Sequence, residues 1–229
     1  MKIRSILAAS ATLFALMPLG QAIAAPATTA VDATANVVPS QLPRNAAPLH
    51  YAITVTPNAE KLTFDGNVHI EFMLKTPSDS VTLNAADIDF RAVTIAKGRA
   101  AAIPATVQVN AAAQTATLSF GQTLPAGRYT LYIDYAGKIL QQANGLFALD
   151  YKDPQGAEKR ALFTQFEAPD ARRFVPSWDE PNYKATFDLT ARVPSEQMAV
   201  SNMPVASRRE MGSGMSEVHF GKTPKMSTY

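Results

Sequence analysis

Residues 67–74 read NVHIEFML, with an apolar side chain at every second position among polar ones. Val68, Ile70, Phe72 and Leu74 fall on one side, and Asn67, His69, Glu71 and Met73 on the other. A strand turns successive side chains to opposite faces, so this spacing predicts a half-buried strand and not a helix. The same period runs outward in both directions. HYAITVT (50–56) groups Tyr51, Ile53 and Val55, and ATVQV (105–109) groups Ala105, Val107 and Val109. TATLSF (115–120) groups Ala116, Leu118 and Phe120, and RYTLYIDY (128–135) groups Tyr129, Leu131, Ile133 and Tyr135. KATFDLTARV (184–193) sets Ala185, Phe187, Leu189, Ala191 and Val193 against polar neighbours. Asp65-Gly66, Pro77-Ser78, Pro125-Ala126-Gly127, Asp153-Pro154-Gln155-Gly156 and Gly212-Ser213-Gly214 read as turns between these runs. No stretch after residue 45 carries an apolar stripe at helical spacing over the length of a helix. The reading is one all-β, mostly antiparallel domain over residues 45–229, a β-sandwich or a single curved sheet.

The N-terminus has a different grammar. Lys2 and Arg4 precede an apolar run from Ile6 to about Leu19, which closes on Ala22-Ile23-Ala24. This is the pattern of a signal peptide over residues 1–24, cleaved after Ala24 or Ala25, and it predicts a periplasmic or secreted protein. Residues 25–44, low in aromatics and rich in Ala, Thr and Pro, read as a flexible linker. No later run reaches the ~18 apolar residues of a membrane span, so no transmembrane segment is expected after signal cleavage. The chain has no cysteine, which excludes disulfides, thiol catalysis and thiolate metal sites. Its 21 basic residues lose Lys2 and Arg4 with the signal, leaving 19 against 19 acidic, and no basic stripe points to nucleic acid. The last residues, EVHFGKTPKMSTY (217–229), end on a strand-like stretch without a stop signal, the mark of a truncated chain.

Most familiar catalytic spacings are missing. His50, His69 and His219 form no H-x-x-x-H pair, and each sits in a strand-like run, where a sheet histidine is the ordinary explanation. Chemistry concentrates instead in TQFEAPDARRFVPSWDEP (164–181). Arg160–Thr164 reads as a strand, and Gln165 and Glu167 follow two apart at its end. If the strand continues, both point to one side, where Glu167 could take a charge-assisted hydrogen bond from an amine and Gln165 a neutral contact. A solvated strand end is the plainer reading of the same two residues. Asp170, Arg172, Arg173, Asp179 and Glu180 could be a glycosidase carboxylate pair with bystanders. The favoured reading is a set of internal ion pairs fixing a Pro-bounded loop, because two arginines lie close enough to neutralise the acids. Trp178 and Phe174 then plug that loop onto the core.

FTQFEAPDARRFVPSWDEPNYKATFDL (163–189) closely resembles a segment of the aminopeptidase N-like zinc metallopeptidases, T-Q-F-E-x-x-D-A-R-x-x-F-P-x-x-D-E-P-x-x-K-A-x-F. LPRNAAPLHYAITVTP (42–57), FDGNVHIEF (64–72), VTLNAADI (81–88), NGLFALDY (144–151), AVSNMP (199–204) and TPKMSTY (223–229) resemble further family pieces in the same order. The resemblance implies a saddle-like N-terminal β domain that packs on its own thermolysin-like catalytic domain. It implies that the zinc is bound by that missing catalytic domain, through H-E-x-x-H and a distal Glu, and not by this fragment. It further implies that Glu167 binds the free α-amine of peptide substrates and that Gln165 lines the pocket for the first side chain. Val175 after Phe174, and Trp178 where Cys or Phe is more usual, depart from the family pattern within the loop. On this reading the chain is the substrate-anchoring domain of an exported aminopeptidase and is inactive alone; the alternative is a stand-alone secreted β-sandwich binding module.

Overall fold

The computed structural model describes residues 42–229. The signal peptide read at 1–24, and the linker up to residue 41, lie outside the described residues. Leu42 is already packed: it is 3% exposed and its N–H donates to Glu180 Oε1 at 2.5 Å.

The strands are β1 (Ala46–Asn58), β2 (Thr63–Leu74), β3 (Ser78–Asn84), β4 (Asp89–Ala96), β5 (Ile103–Pro104), β6 (Thr106–Asn110) and β7 (Thr115–Leu124). They continue with β8 (Gly127–Lys138), β9 (Gly145–Lys152), β10 (Glu158–Gln165), β11 (Thr186–Pro194), β12 (Val205–Gly212) and β13 (Met215–Phe220). The helical element among them is a single 3-10 turn, Ala171–Arg173. The fold is therefore all-β, as the period-two reading predicts. Eight strands form one sheet in the order β12-β13-β11-β1-β2-β8-β4-β5, three form a second in the order β3-β7-β6, and β9 with β10 makes a separate ribbon. Pairing is antiparallel except between β1 and β11, which run parallel with Tyr51 opposite Phe187.

One core joins the two larger sheets. Tyr51, Val68, Ile70, Phe72, Leu131, Ile133 and Tyr135 from the large sheet lie in one buried cluster with Val81, Leu83, Leu118 and Phe120 from the small one. These are the faces that alternation assigns to the interior. On the edge strand β6 the face is weaker: Val107, and Ala105 just before the strand, are partly buried against the core, while Val109 is left 52% exposed.

Asp65-Gly66 is not a turn, because both residues lie inside β2. Gly66 faces Tyr135 across the β2–β8 pair, and a Cβ on it would sit 2.3 Å from Tyr135 Cζ. The glycine makes room for a ring, and Phe64 repeats the arrangement one pair along, lying over Gly137. The edge-on Phe64–Tyr135 contact, 6.2 Å between centroids, fills the space so created. Gly66→Ala is expected to destabilise by roughly 1–3 kcal/mol through overpacking, read as a lower urea midpoint. An unchanged midpoint would show that the Tyr135 ring can move aside.

Candidate functional site

The segment 164–181 leaves the sheet at the end of β10 and is held by its own charges. Asp179 lies at its centre. Its Oδ2 accepts from Arg172 Nε at 2.9 Å and from the Arg172 N–H at 3.3 Å, with side-chain exposures of 3% and 6%. Arg172 Nη2 also donates to the Asp179 carbonyl at 3.1 Å, and the Asp179 N–H donates to Asn84 Oδ1 at 3.1 Å. Arg173 Nε pairs with Asp170 at 2.8 Å, and its Nη1 reaches Asp87. Asp170 takes a second donor, Asn144 Nδ2, at 2.7 Å. Glu180 pairs with Arg44 at 3.0 Å besides holding Leu42. The ion-pair reading of this loop therefore holds, and neither Asp179 nor Glu180 stands as one of a free carboxylate pair.

Aromatic packing fixes the same loop to the core. Trp178 is 1% exposed, with Phe72 at 5.5 Å and Tyr183 at 6.5 Å between centroids. Phe174 packs on Phe64 at 5.6 Å and on Phe166 at 5.2 Å. Two buried tyrosines bind its backbone: Tyr51 Oη accepts from the Trp178 N–H at 3.1 Å, and Tyr135 Oη donates to the Phe174 carbonyl at 3.0 Å. Burial pushes the pKa of both phenols up.

Gln165 and Glu167 lie at the start of this segment. β10 stops at Gln165, and Glu167 belongs to the turn that follows, so the strand does not carry the two residues to one side. The turn brings them together instead. Gln165 Nε2 donates to the Glu167 carbonyl at 3.3 Å, and both residues line one cleft of about 670 Å³. Both are exposed. Among the described residues, Glu167 is the one acid of the segment whose carboxylate takes no hydrogen bond or ion pair, while Asp170, Asp179 and Glu180 are each held. The cleft wall is mixed: Phe166, Phe187, Leu189 and Met203 supply apolar surface, and Lys184 and Lys225 supply positive charge.

A second segment lining the cleft went unnoticed in the sequence. Residues Lys225–Tyr229 line the cleft and join the fold through a backbone pair between Met226 and Ala185 at 3.0 and 3.1 Å. Thr228 Oγ1 donates to Asp179 Oδ1 at 2.5 Å, and Ser227 Oγ donates to the Pro181 carbonyl at 3.0 Å. Two small hydroxyl side chains near a chain end give no periodic signal. The buried acid that Thr228 faces would have been the clue.

The histidines are accounted for locally. His50 Nδ1 lies 2.8 Å from Thr186 Oγ1 and its Nε2 lies 3.2 Å from Asp188; His219 Nδ1 lies 3.0 Å from Thr190 Oγ1. His69 stands edge-on to Tyr132, and burial lowers its pKa against the opposing pull of Asp134. Among the described residues no three His, Asp or Glu side chains converge to hold a metal ion, so these residues do not fit a zinc site. Among them, too, no helix is long and apolar enough to cross a membrane.

Comparison with known proteins adds the family. A family model described as the peptidase M1 N-terminal domain matches residues 47–229. The chain is 42% identical over 189 residues to "Aminopeptidase N" of Acetobacter pasteurianus, covering 82% of this chain and 52% of that protein. It is 38% identical over 191 residues to "Aminopeptidase M1-C" of Oryza sativa subsp. japonica, covering 83% and 21%. It is 29% identical over 193 residues to "Endoplasmic reticulum aminopeptidase 1" of Rattus norvegicus, covering 82% and 21%. The chain spans about half the length of the first of these relatives and about a fifth of the other two.

Proposed function

The chain belongs to the peptidase M1 N-terminal domain family, and from that premise we propose that it is the substrate-anchoring domain of an exported zinc aminopeptidase. The observation that carries this reading is the unpaired Glu167 carboxylate on the wall of the cleft of about 670 Å³, in a segment whose other acids are all neutralised. An ammonium is the partner such a group takes: opposite charge and N–H donors give a short, charge-assisted hydrogen bond. Gln165 beside it offers a neutral donor and acceptor to the first residue of a peptide.

The chemistry of cleavage belongs to a second domain in this proposal. The zinc and the residues that activate water are assigned to that catalytic domain; among the described residues none fit a metal site. What this chain contributes is register. A peptide gripped by its terminal ammonium presents its first carbonyl, and no later one, at a fixed distance from Glu167. In the domain alone Glu167 is exposed; packing of the catalytic domain over the cleft would remove water and sharpen the choice. A mid-chain amide would then leave the carboxylate unpaired, at a cost of roughly 3–5 kcal/mol. Export rests on the signal-peptide pattern of residues 1–24 alone.

The test is kinetic. In the longer protein that carries this domain, Glu167→Ala is expected to raise KM for amino-acid amides about 10–100-fold. That range corresponds to the loss of one charged hydrogen bond worth roughly 1.5–3 kcal/mol. Steady-state parameters equal to those of the parent protein would remove Glu167 from the site.

A further inference from the structure

Asp179 does more than neutralise Arg172, because its two oxygens join two segments of the chain that each contribute residues to the cleft. Oδ2 holds Arg172, whose 3-10 turn directly follows the turn that carries Glu167. The two turns are linked by the Asp170 N–H, which donates to the Phe166 carbonyl at 3.0 Å. Oδ1 holds Thr228 at 2.5 Å, on the tail that lines the same cleft. The carboxylate is 3% exposed on its side chain, and Thr228 is 9% exposed as a residue, so little water competes for either bond. One path from Glu167 to the tail therefore runs through this buried acid, beside a second tie from Ser227 to the Pro181 carbonyl.

We propose that Thr228, acting through Asp179, is a positioning residue for the amine site. It fixes the Glu167 turn relative to the tail, and so relative to the catalytic domain proposed above. This rests on the aminopeptidase reading above. The tail keeps its other attachments without the hydroxyl: the Met226–Ala185 pair, and Ser227 on Pro181 and Lys184. Thr228→Val therefore cuts the tie while leaving the tail on the sheet. Ser at the same position keeps the hydroxyl and should keep the tie.

A lower melting temperature would not separate positioning from simple support, so the readout is a ratio that partial unfolding cannot change. In the longer protein, inhibition constants are measured for leucinamide and for its des-amino analogue, 4-methylpentanamide. Their ratio reports the contribution of the ammonium alone. Thr228→Val is expected to shrink the ratio about tenfold, the effect of misaligning one charge-assisted hydrogen bond. Thr228→Ser is expected to keep it within about twofold of the parent on the same grounds. A Thr228→Val protein with the parental ratio overturns the positioning role and leaves the amine site standing. A parent protein that does not prefer leucinamide overturns the amine site itself, and the positioning role with it.

Discussion

Replacing Asp179 with alanine is expected to destabilise the protein by about 3–5 kcal/mol, the usual consequence of widowing one partner of a buried ion pair. The guanidinium of Arg172 would keep its Asp179 carbonyl and a long contact to Gln114 Oε1 at 3.4 Å, but no counter-charge. Thr228 would lose its acceptor as well. Several groups depend on one carboxylate, so the loss is larger than that of a single hydrogen bond. For a domain of this size it corresponds to a fall of roughly 6–20 °C in the melting midpoint. Asp150→Ala is the matched control. Asp150 also binds an arginine, Arg160, at 2.6 Å, but at a solvent-exposed position where screening removes most of the benefit. Its midpoint should stay close to that of the parent. Equal behaviour of the two variants would contradict the central role given to burial.

Trp178→Ala should cost a comparable amount, about 3–5 kcal/mol, for a different reason. The indole is the largest fully buried side chain in the domain, wedged between Phe72 and Tyr183. Its removal leaves a cavity that the sheet cannot close, because Phe72 sits in β2 with partners on both sides. The backbone bond from the Trp178 N–H to Tyr51 survives in the variant, so the loop should loosen without leaving the core. Urea unfolding with a lower midpoint and an unchanged slope would fit a cavity in an otherwise native fold. A loss below about 1 kcal/mol would mean that the loop is held by its ion pairs and that the indole is incidental.

β1, β2, β7, β8 and β11 were legible because burial writes itself as alternation, whereas β3, β4 and β13 also bury residues and were not read from it. β2 and β8 sit in mid-sheet, and their residues alternate from end to end. β12 was not legible, since all eight of its residues are exposed and nothing in VASRREMG distinguishes inside from outside. β9 suffered the same fate, with Leu149 and Tyr151 about half exposed on a two-stranded ribbon. Gly66 misled because a glycine after an aspartate usually signals a turn; the ring of Tyr135 that requires it lies on another strand. The parallel contact of β1 with β11 joins residues more than a hundred positions apart, a pairing that local pattern does not encode. In the site, Gln165 and Glu167 could be named, but the cause of their convergence is the turn and not the strand. The charges of residues 170–180 could be read as mutually neutralising because they crowd one short segment. Thr228, 49 positions beyond Asp179, could not be paired with it from sequence.

The central claim is that the Glu167 carboxylate grips the charged head of a peptide. A crystal structure of the longer protein with an amino-acid amide bound tests it most directly. The account predicts the α-ammonium at about 2.7–2.9 Å from a Glu167 carboxylate oxygen, with Gln165 alongside. An ammonium held by other groups, with Glu167 facing bulk water, would contradict it.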